Sequence, residues 1–199
     1  MPNGIRYDPQ SAAPVRLAGL IASHRVNANA QIAVQRPGLC GKPHRAYPLA
    51  MRLALFEPEI AGNVGAVMRL GACLDVAVDL IEPMGFTWDD RRVRRTAMDY
   101  IHHVEVKRHR SFEAFRSATP GRLVLFTTKG DTSPYDFAFQ AEDILLFGKE
   151  SGGVPTAVAA ASDARLRLPI SNGVRSFNLA TAAALALGEA LRQTDGLPA

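Results

Sequence analysis

From residue 51 onward the chain alternates short apolar strand segments with helical segments, and this alternation constrains its fold more than any other feature. Strands that alternate with helices pair in parallel, because each helix returns the chain to the starting edge of the sheet. The sequence therefore predicts an α/β fold, a parallel sheet with helices on both faces. Strands are expected at 52–57, 76–81, 103–106, 123–127, 144–147 and 165–170. Helices are expected at 63–74, 89–98, 111–118, just after Pro155 and at 176–193.

The first 50 residues have a different composition. They hold six prolines, and six Lys or Arg against the single acid Asp8, with no sustained period of 2 or 3.6. Such a segment buries too little apolar surface to offset its ordering entropy. We expect a disordered leader at 1–50, or a start codon assigned too early because Met51 directly precedes the first strand. The domain proper is expected at 51–199.

Composition limits the class of protein. Hydrophobic residues make up 47% of the chain and charged residues 21%, which is typical of a globular protein. No apolar run approaches the roughly 20 residues that span a bilayer, so we expect no membrane partner. Cys40 lies in the leader and Cys73 in a predicted helix, which favours free thiols in a reducing cytoplasm.

The stretch 143–155 predicts a ligand loop. Its apolar strand stops at Gly148 and leads into Glu150 and the glycines Gly152 and Gly153. In α/β proteins, ligands bind at the carboxyl ends of parallel strands. The stretch lacks the upstream glycine of a P-loop, and no Gly-x-Gly-x-x-Gly follows the first strand. By itself the loop does not identify its ligand.

A second candidate segment is the helix predicted at 63–74. Asn63 is placed as its N-cap, and apolar residues recur at helical spacing along one face. Arg69 projects from the opposite face, and helical side chains lean toward the N-terminus, so its guanidinium reaches back toward the preceding strand. Spacing alone is equally typical of a capped amphipathic helix with a solvated arginine.

The segment 89–116 is rich in basic residues. It carries eight Lys or Arg against five acids, with Trp88 and Tyr100 close by for stacking. Basic groups with aromatic planes are typical of RNA-binding surfaces, although a solvated charged helix has the same pattern. Its histidines lack the accompanying ligands of a metal site, so no metal is expected.

The last helix is preceded by Ser176 and Asn178 and is rich in alanine. Small residues allow close approach of backbones, which suits an enclosed helix or a subunit interface. Helix propensity alone also accounts for the alanines.

Three motifs in order resemble those of the SpoU branch of the SPOUT RNA 2′-O-methyltransferases. They are Asn63-x-Gly65-x-x-x-Arg69, Phe147-Gly-x-Glu-x-x-Gly-x-Pro155, and Pro169-Ile followed by Ser176-x-Asn178-Leu. With Glu57-Pro-Glu-Ile, the resemblance is nearest to the TrmL group, the tRNA (cytidine/uridine-34)-2′-O-methyltransferases. It spans residues 51–192.

The resemblance implies a fold that periodicity would not predict, because it contains a deep C-terminal trefoil knot and knots are nearly absent from proteins. It also implies a homodimer joined through the last helix. S-adenosylmethionine is expected to lie against backbone in the knot, at Phe126, Gly148, Leu168 and Ser176. Glycine at 148 is expected to leave room for that ligand.

The resemblance implies catalytic roles for Arg69, Asn63, Glu150 and Asn178. A guanidinium is a poor base because its pKa exceeds about 12, so we expect Arg69 to bind the phosphate beside the target ribose. Glu150 is expected to orient Arg69 or the hydroxyl. The implied function is methylation of the wobble-nucleotide 2′-hydroxyl in the tRNA anticodon stem-loop. Another tRNA or rRNA position, or a non-catalytic RNA-binding dimer, is the alternative.

Overall fold

The computed structural model describes residues 50–88 and 98–198. Its strands are β1 Arg52–Phe56, β2 Ala77–Ile81, β3 Val106–His109, β4 Leu123–Phe126, β5 Ile144–Phe147 and β6 Ala164–Leu166. Its α-helices are α1 Ala61–Leu74, α2 Phe112–Ala118, α3 Thr156–Ala160 and α4 Leu179–Gln193, and a 3₁₀-helix covers Met98–His103. The leader predicted at 1–50 and most of the basic helix predicted at 89–98 lie outside the described residues, so that domain division stays a prediction.

The six strands form one sheet in the order β3-β2-β1-β5-β4-β6, and every neighbouring pair is parallel. β1 and β5 are neighbours at the centre of the sheet. The connection after β1 leads to β2 on one side of this pair, and the connection after β5 leads to β6 on the other side. Ligands of open α/β sheets bind where the connections diverge in this way, outside the carboxyl ends of the strands. In this sheet that point lies between β1 and β5.

Helices cover both faces of the sheet, as predicted. On one face, Val67 and Met68 of α1 and Leu187 of α4 pack in a large apolar cluster with the strands. On the other face, Phe115 of α2 and Val158 of α3 belong to a second cluster. The four inner strands, β1, β2, β4 and β5, are buried on both sides, which explains their nearly continuous apolar sequences.

Two predicted strands are wrong in position. The strand expected at 103–106 is β3 at Val106–His109, an edge strand whose outward charged residues disguise its pattern. The strand expected at 165–170 ends at Leu166. There the chain turns to the loop after β4, because the Arg167 N–H donates to the Thr132 carbonyl at 2.9 Å. The trefoil knot itself stays a prediction.

Three polar side chains, Arg52, Asp79 and His109, join three of the strands through a buried carboxylate. The Asp79 carboxylate accepts from Arg52 Nε at 2.6 Å and lies 2.6 Å from His109 Nε2. Asp79 is fully buried, and a buried carboxylate is tolerated only when its oxygens are paired in this way. The group ties β1, β2 and β3 together on the side of the sheet away from β5.

Candidate active site

The loops that follow β1 and β5 meet at the point where the sheet connections diverge. Leu55 of β1 lies in register with Phe147 of β5, so both strands end side by side. Glu57 adopts a left-handed backbone conformation, with φ of 46°, and its carboxylate binds Lys149 Nζ at 3.0 Å. The turn at Glu57 therefore directs the first loop against the second.

Asn63, Glu150 and Asn178 form a continuous chain of hydrogen bonds across these loops. Asn63 Nδ2 donates to Glu150 Oε1 at 2.7 Å, and Asn63 Oδ1 accepts from Asn178 Nδ2 at 2.9 Å. Asn178 Oδ1 in turn accepts from the N–H groups of Ala180 and Thr181, so it caps α4. Residues separated by more than 80 positions in the sequence are thus brought into one polar cluster.

The prediction that Asn63 caps α1 is wrong. The helix begins at Ala61 with Ile60 in the N-cap position, and no side chain caps it. Asn63 instead lies in the first turn and is only 8% exposed. A buried amide must pair both its donor and its acceptor, and Glu150 and Asn178 supply these partners. Ser176 and Asn178 do lie where a loop enters the last helix, as predicted.

The glycine at 148 lies in close contact with the backbone of its own loop. A Cβ on Gly148 would lie 2.5 Å from the carbonyl carbon of Gly153. Lys149 and Gly153 exchange backbone hydrogen bonds of 3.2 and 2.9 Å, which close the loop into a tight turn. Glycine is therefore required here for the loop to fold back on itself, and its role in leaving room for a ligand stays a prediction.

We expect Gly148→Ala to destabilise the protein by about 1–3 kcal/mol, because the added methyl group overpacks a backbone contact. Any activity of this site should fall with it, since the same loop carries Glu150. Gly152→Ala is the matched control, because its Cβ would meet only Lys149 Cε, at 3.6 Å. Chemical denaturation and activity assays of both variants test this. Equal effects at 148 and 152 would contradict the assignment.

Arg69 lies on the exposed side of α1. It is six residues beyond Asn63, about 9 Å along the helix axis. Its guanidinium carbon lies 5.1 Å from the centre of the Tyr100 ring, a cation–π distance. Arg108 makes a similar contact with Trp88 at 5.2 Å. Both aromatic residues that the sequence offers for stacking on RNA thus contact arginines.

The residues predicted to hold a cofactor follow three adjacent strands. Phe126 ends β4 in register with Phe147 of β5 and Leu166 of β6, and the rings of Phe126 and Phe147 stack at 5.1 Å. Gly148 and Leu168 come directly after these strand ends, so they lie at the same edge of the sheet. Residues 171–178, which include Ser176, are exposed throughout and lead into the Asn178 cap. The structure therefore places these positions next to the polar cluster.

Glu59 is a site residue that sequence reasoning did not single out. Its carboxylate accepts from the N–H and the hydroxyl of Ser151, both at 2.7 Å, and its own N–H donates to Glu150 Oε2 at 2.8 Å. The Ser151 hydroxyl, then the Ser151 N–H, lower the pKa of Glu59, and the charge of Lys149 adds to this. The available signal was an acid three residues beyond the end of β1, within the Glu57-Pro-Glu-Ile stretch.

A lowered pKa makes the Glu59 contacts pH-dependent. Their contribution to stability is complete above the ordinary glutamate pKa of 4.5 and is lost as the pH falls through the lowered folded-state value. We therefore expect the wild-type protein to have a higher melting temperature than Glu59→Gln at pH 7. This difference in melting temperature should narrow toward pH 3. Thermal unfolding of both proteins across this range is the measurement. A difference that stays constant or widens in acid would contradict the account.

In the part of the chain that the structure describes, no three His, Cys, Asp or Glu side chains cluster as metal ligands would. None of the described helices combines the length and the apolar character of a transmembrane span. Cys73 is exposed and has a free thiol.

The fold and the cluster define a class of RNA methyltransferase. The family model of the SpoU rRNA Methylase family matches residues 50–188, which is more than half of the chain. The chain belongs to this family and is a methyltransferase. The family resemblance predicted from the three motifs is thereby confirmed.

Individual relatives narrow the comparison. A tRNA (cytidine(34)-2′-O)-methyltransferase of Ancylobacter novellus is 48% identical over 151 residues, which cover 74% of this chain and 96% of the relative. A solved structure that concerns 2-OH methylation of C/U34 on tRNA has a TM-score of 0.70 at 40% identity, and the match covers 73% of this chain and 97% of that one.

A third comparison concerns the cofactor. The SpoU methyltransferase AviRb of Streptomyces viridochromogenes, solved in complex with AdoMet, has a TM-score of 0.64 and 27% identity to this chain. The match covers 72% of this chain and 57% of AviRb. AviRb therefore contains further residues beyond the part that it shares with this chain.

Proposed function

We propose that the protein transfers a methyl group from S-adenosylmethionine to the ribose 2′-hydroxyl of nucleotide 34, the wobble position of tRNA. The observation that carries the proposal is the convergence of Asn63, Glu150 and Asn178 on one hydrogen-bonded cluster at the strand ends. The choice of nucleotide rests on similarity to the Ancylobacter novellus tRNA methyltransferase, of which the match spans 96%.

The strand ends fit S-adenosylmethionine. Phe126, Gly148 and Leu168 lie along one edge of the sheet, and the exposed segment 171–178 offers main-chain donors and acceptors to a nucleoside and an amino-acid group. Residues Phe126, Gly148, Leu168 and Ser176 would hold the cofactor there. When bound, it supplies the methyl group on a positively charged sulfur. The nearby Glu150 carboxylate gives the edge a favourable charge for such a cation.

The ribose would be positioned by Arg69 and by the polar cluster of Asn63, Glu150 and Asn178. Each carboxylate oxygen of Glu150 already accepts one hydrogen bond and retains a lone pair, so Glu150 can also accept from the 2′-hydroxyl. Arg69 is exposed and permanently charged, which suits a grip on the adjacent phosphate and stabilisation of developing negative charge on oxygen. Glu150 would orient the hydroxyl and Arg69 would stabilise the negative charge that develops on its oxygen. With both effects, the reaction does not require a strong base.

The bond changes are those of a simple displacement. The ribose 2′-oxygen forms a bond to the methyl carbon, the methyl–sulfur bond breaks, and the hydroxyl proton is released to water. Catalysis then depends mainly on holding the oxygen in line with the methyl group, for which rigid hydrogen bonds are effective.

RNA binding and self-association belong to the same proposal. The exposed Arg165, Arg167 and Arg175 lie on the segment that passes the site, where they can contact phosphates of the anticodon stem-loop. The exposed face of α4 carries Thr181, Ala184 and Leu185, small or apolar residues that suit the interface of a homodimer. A tRNA substrate would place the protein in the cytoplasm, as predicted.

The proposal is tested with purified protein, methyl-labelled S-adenosylmethionine, and tRNA from a strain in which the gene is deleted. We expect label in 2′-O-methylcytidine or 2′-O-methyluridine after digestion to nucleosides. Calorimetry with the cofactor alone should give saturable binding. Label in a base instead of a ribose would contradict ribose methylation, and an absence of cofactor binding would favour a non-catalytic RNA-binding dimer.

A further inference from the structure

We infer that Glu59 is a positioning residue for methyl transfer, which holds the Glu150 carboxylate in place by gripping the neighbouring Ser151. The inference rests on the proposed function and extends it to a residue outside the set predicted from the sequence. Glu59 would not touch the ribose or the methyl group. It would act through Glu150.

Glu59 contacts both the Glu150 carboxylate and the residue that follows Glu150 in the chain. The Glu59 N–H donates to Glu150 Oε2 at 2.8 Å, while the Glu59 side chain binds the next residue, Ser151, through both its N–H and its hydroxyl at 2.7 Å. A charged acceptor with two donors is among the stronger hydrogen-bond arrangements in proteins. One residue of the β1 loop thus fixes both the carboxylate of residue 150 and the backbone that carries it.

The remaining Glu150 oxygen is fixed by Asn63, at 2.7 Å. With Glu59 in place, each carboxylate oxygen has one partner and the group cannot rotate without breaking a bond. Without the Glu59 carboxylate, the backbone N–H of residue 59 can still donate to Glu150, but Ser151 is released and the loop of residues 148–153 can shift. A displacement of about 1 Å at a reacting group can cost around a hundredfold in rate.

Glu59 is itself held by a third loop. Gly85, which follows β2, donates its N–H to the Pro58 carbonyl at 2.9 Å. A Cβ on Gly85 would lie 2.8 Å from the Glu59 Cα, so the two backbones are in close contact. The loops after β1, β2 and β5 therefore lock together with Glu59 between them, and its carboxylate is preorganised to receive Ser151.

A neighbouring ion pair provides a matched control. Lys149 and Glu57 join the same two loops at 3.0 Å, and this pair is partly exposed, with side-chain exposures of 34% and 25%. It leaves the Glu150 carboxylate untouched. Glu57→Gln therefore weakens one contact between the loops and leaves the hydrogen bonds of Glu150 and Ser151 in place. Glu59→Gln instead weakens the side-chain contact with Ser151, the residue that follows Glu150.

The experiment measures kcat, KM for tRNA, and melting temperature for Glu59→Gln, Ser151→Ala, Glu57→Gln and Glu150→Gln, and for the double variant of residues 59 and 150. We expect Glu59→Gln to lower kcat by about tenfold or more, a loss on the scale of one charged hydrogen bond. KM for tRNA should stay within about twofold, and Glu57→Gln should lower kcat less than Glu59→Gln does. Ser151→Ala should lower kcat in the same direction, which keeps the test valid if Glu59→Gln folds poorly.

The double variant of residues 59 and 150 shows whether Glu59 acts by positioning Glu150 or only by stabilising the structure in general. If Glu59 acts through Glu150, then Glu59→Gln causes no further loss of kcat in the Glu150→Gln background. Additive losses would overturn the inference, as would Glu59→Gln with wild-type kcat. Hydrogen exchange gives a second measure, and the Ser151 amide should exchange faster in Glu59→Gln than in Glu57→Gln. An inactive wild type would instead overturn the proposed function, and this inference with it.

Discussion

Replacing Asn63 with aspartate is expected to lower methyl transfer by about a hundredfold and to destabilise the protein by about 1–3 kcal/mol. Aspartate has nearly the shape of asparagine but no N–H, so the 2.7 Å donor to Glu150 becomes a carboxylate facing a carboxylate. The Asn178 amide still has its acceptor. Steady-state kinetics and chemical denaturation measure the two effects.

The double variant Asn63→Asp with Glu150→Gln provides the control. It exchanges the amide and the carboxylate, so residue 150 becomes the donor and residue 63 the acceptor. The glutamine oxygen can still accept the Glu59 N–H, and aspartate at 63 can still accept from Asn178. We expect stability to recover most of the loss. If the double variant is less stable than either single one, the cluster does not depend on this donor–acceptor pairing.

Replacing Arg69 with alanine is expected to lower kcat by about 10²–10³-fold while the affinity for S-adenosylmethionine stays within about twofold. Arg69 is exposed on α1, its guanidinium lies over the Tyr100 ring, and it is not among the residues proposed to hold the cofactor. Its removal therefore takes charge from the reacting ribose and its phosphate without altering the cofactor site. Single-turnover kinetics with calorimetry separate the two quantities.

Lysine at position 69 is the informative companion variant. It keeps the charge but loses the planar, two-pronged geometry that fits a phosphate. We expect it to recover part of the transfer that alanine loses. Equal losses of transfer and of cofactor affinity in Arg69→Ala would contradict the division of roles between Arg69 and the strand ends.

Much of the fold was predictable because its strands are short, apolar and separated by helices. The strand at Ile144–Phe147 was predicted at its observed position, and the helix Phe112–Ala118 was predicted to within one residue. The edge strand at Val106–His109 was displaced because an edge strand lacks a continuous apolar run. The order of strands could not be predicted, since local pattern carries no information about which strands become neighbours.

The site was predicted less completely than the fold. Asn63, Glu150 and Asn178 were found through motifs, but their mutual hydrogen bonds depend on tertiary contacts across more than 80 residues. For the same reason Asn63 was taken for a helix cap, since local sequence cannot distinguish a capping amide from a buried one. The contact of Gly148 with Gly153 could not be predicted either, because it depends on how the loop folds back.

The central claim is that this chain methylates the ribose of nucleotide 34, and mapping the methyl group on tRNA tests it most directly. Total tRNA from a deletion strain is incubated with the purified protein and S-adenosylmethionine, and the 2′-O-methyl groups gained are located by sequencing under alkaline hydrolysis. We predict new alkali resistance at position 34 with wild-type protein and none with Arg69→Ala. A methyl group gained elsewhere in tRNA, with position 34 unchanged, would contradict the claim.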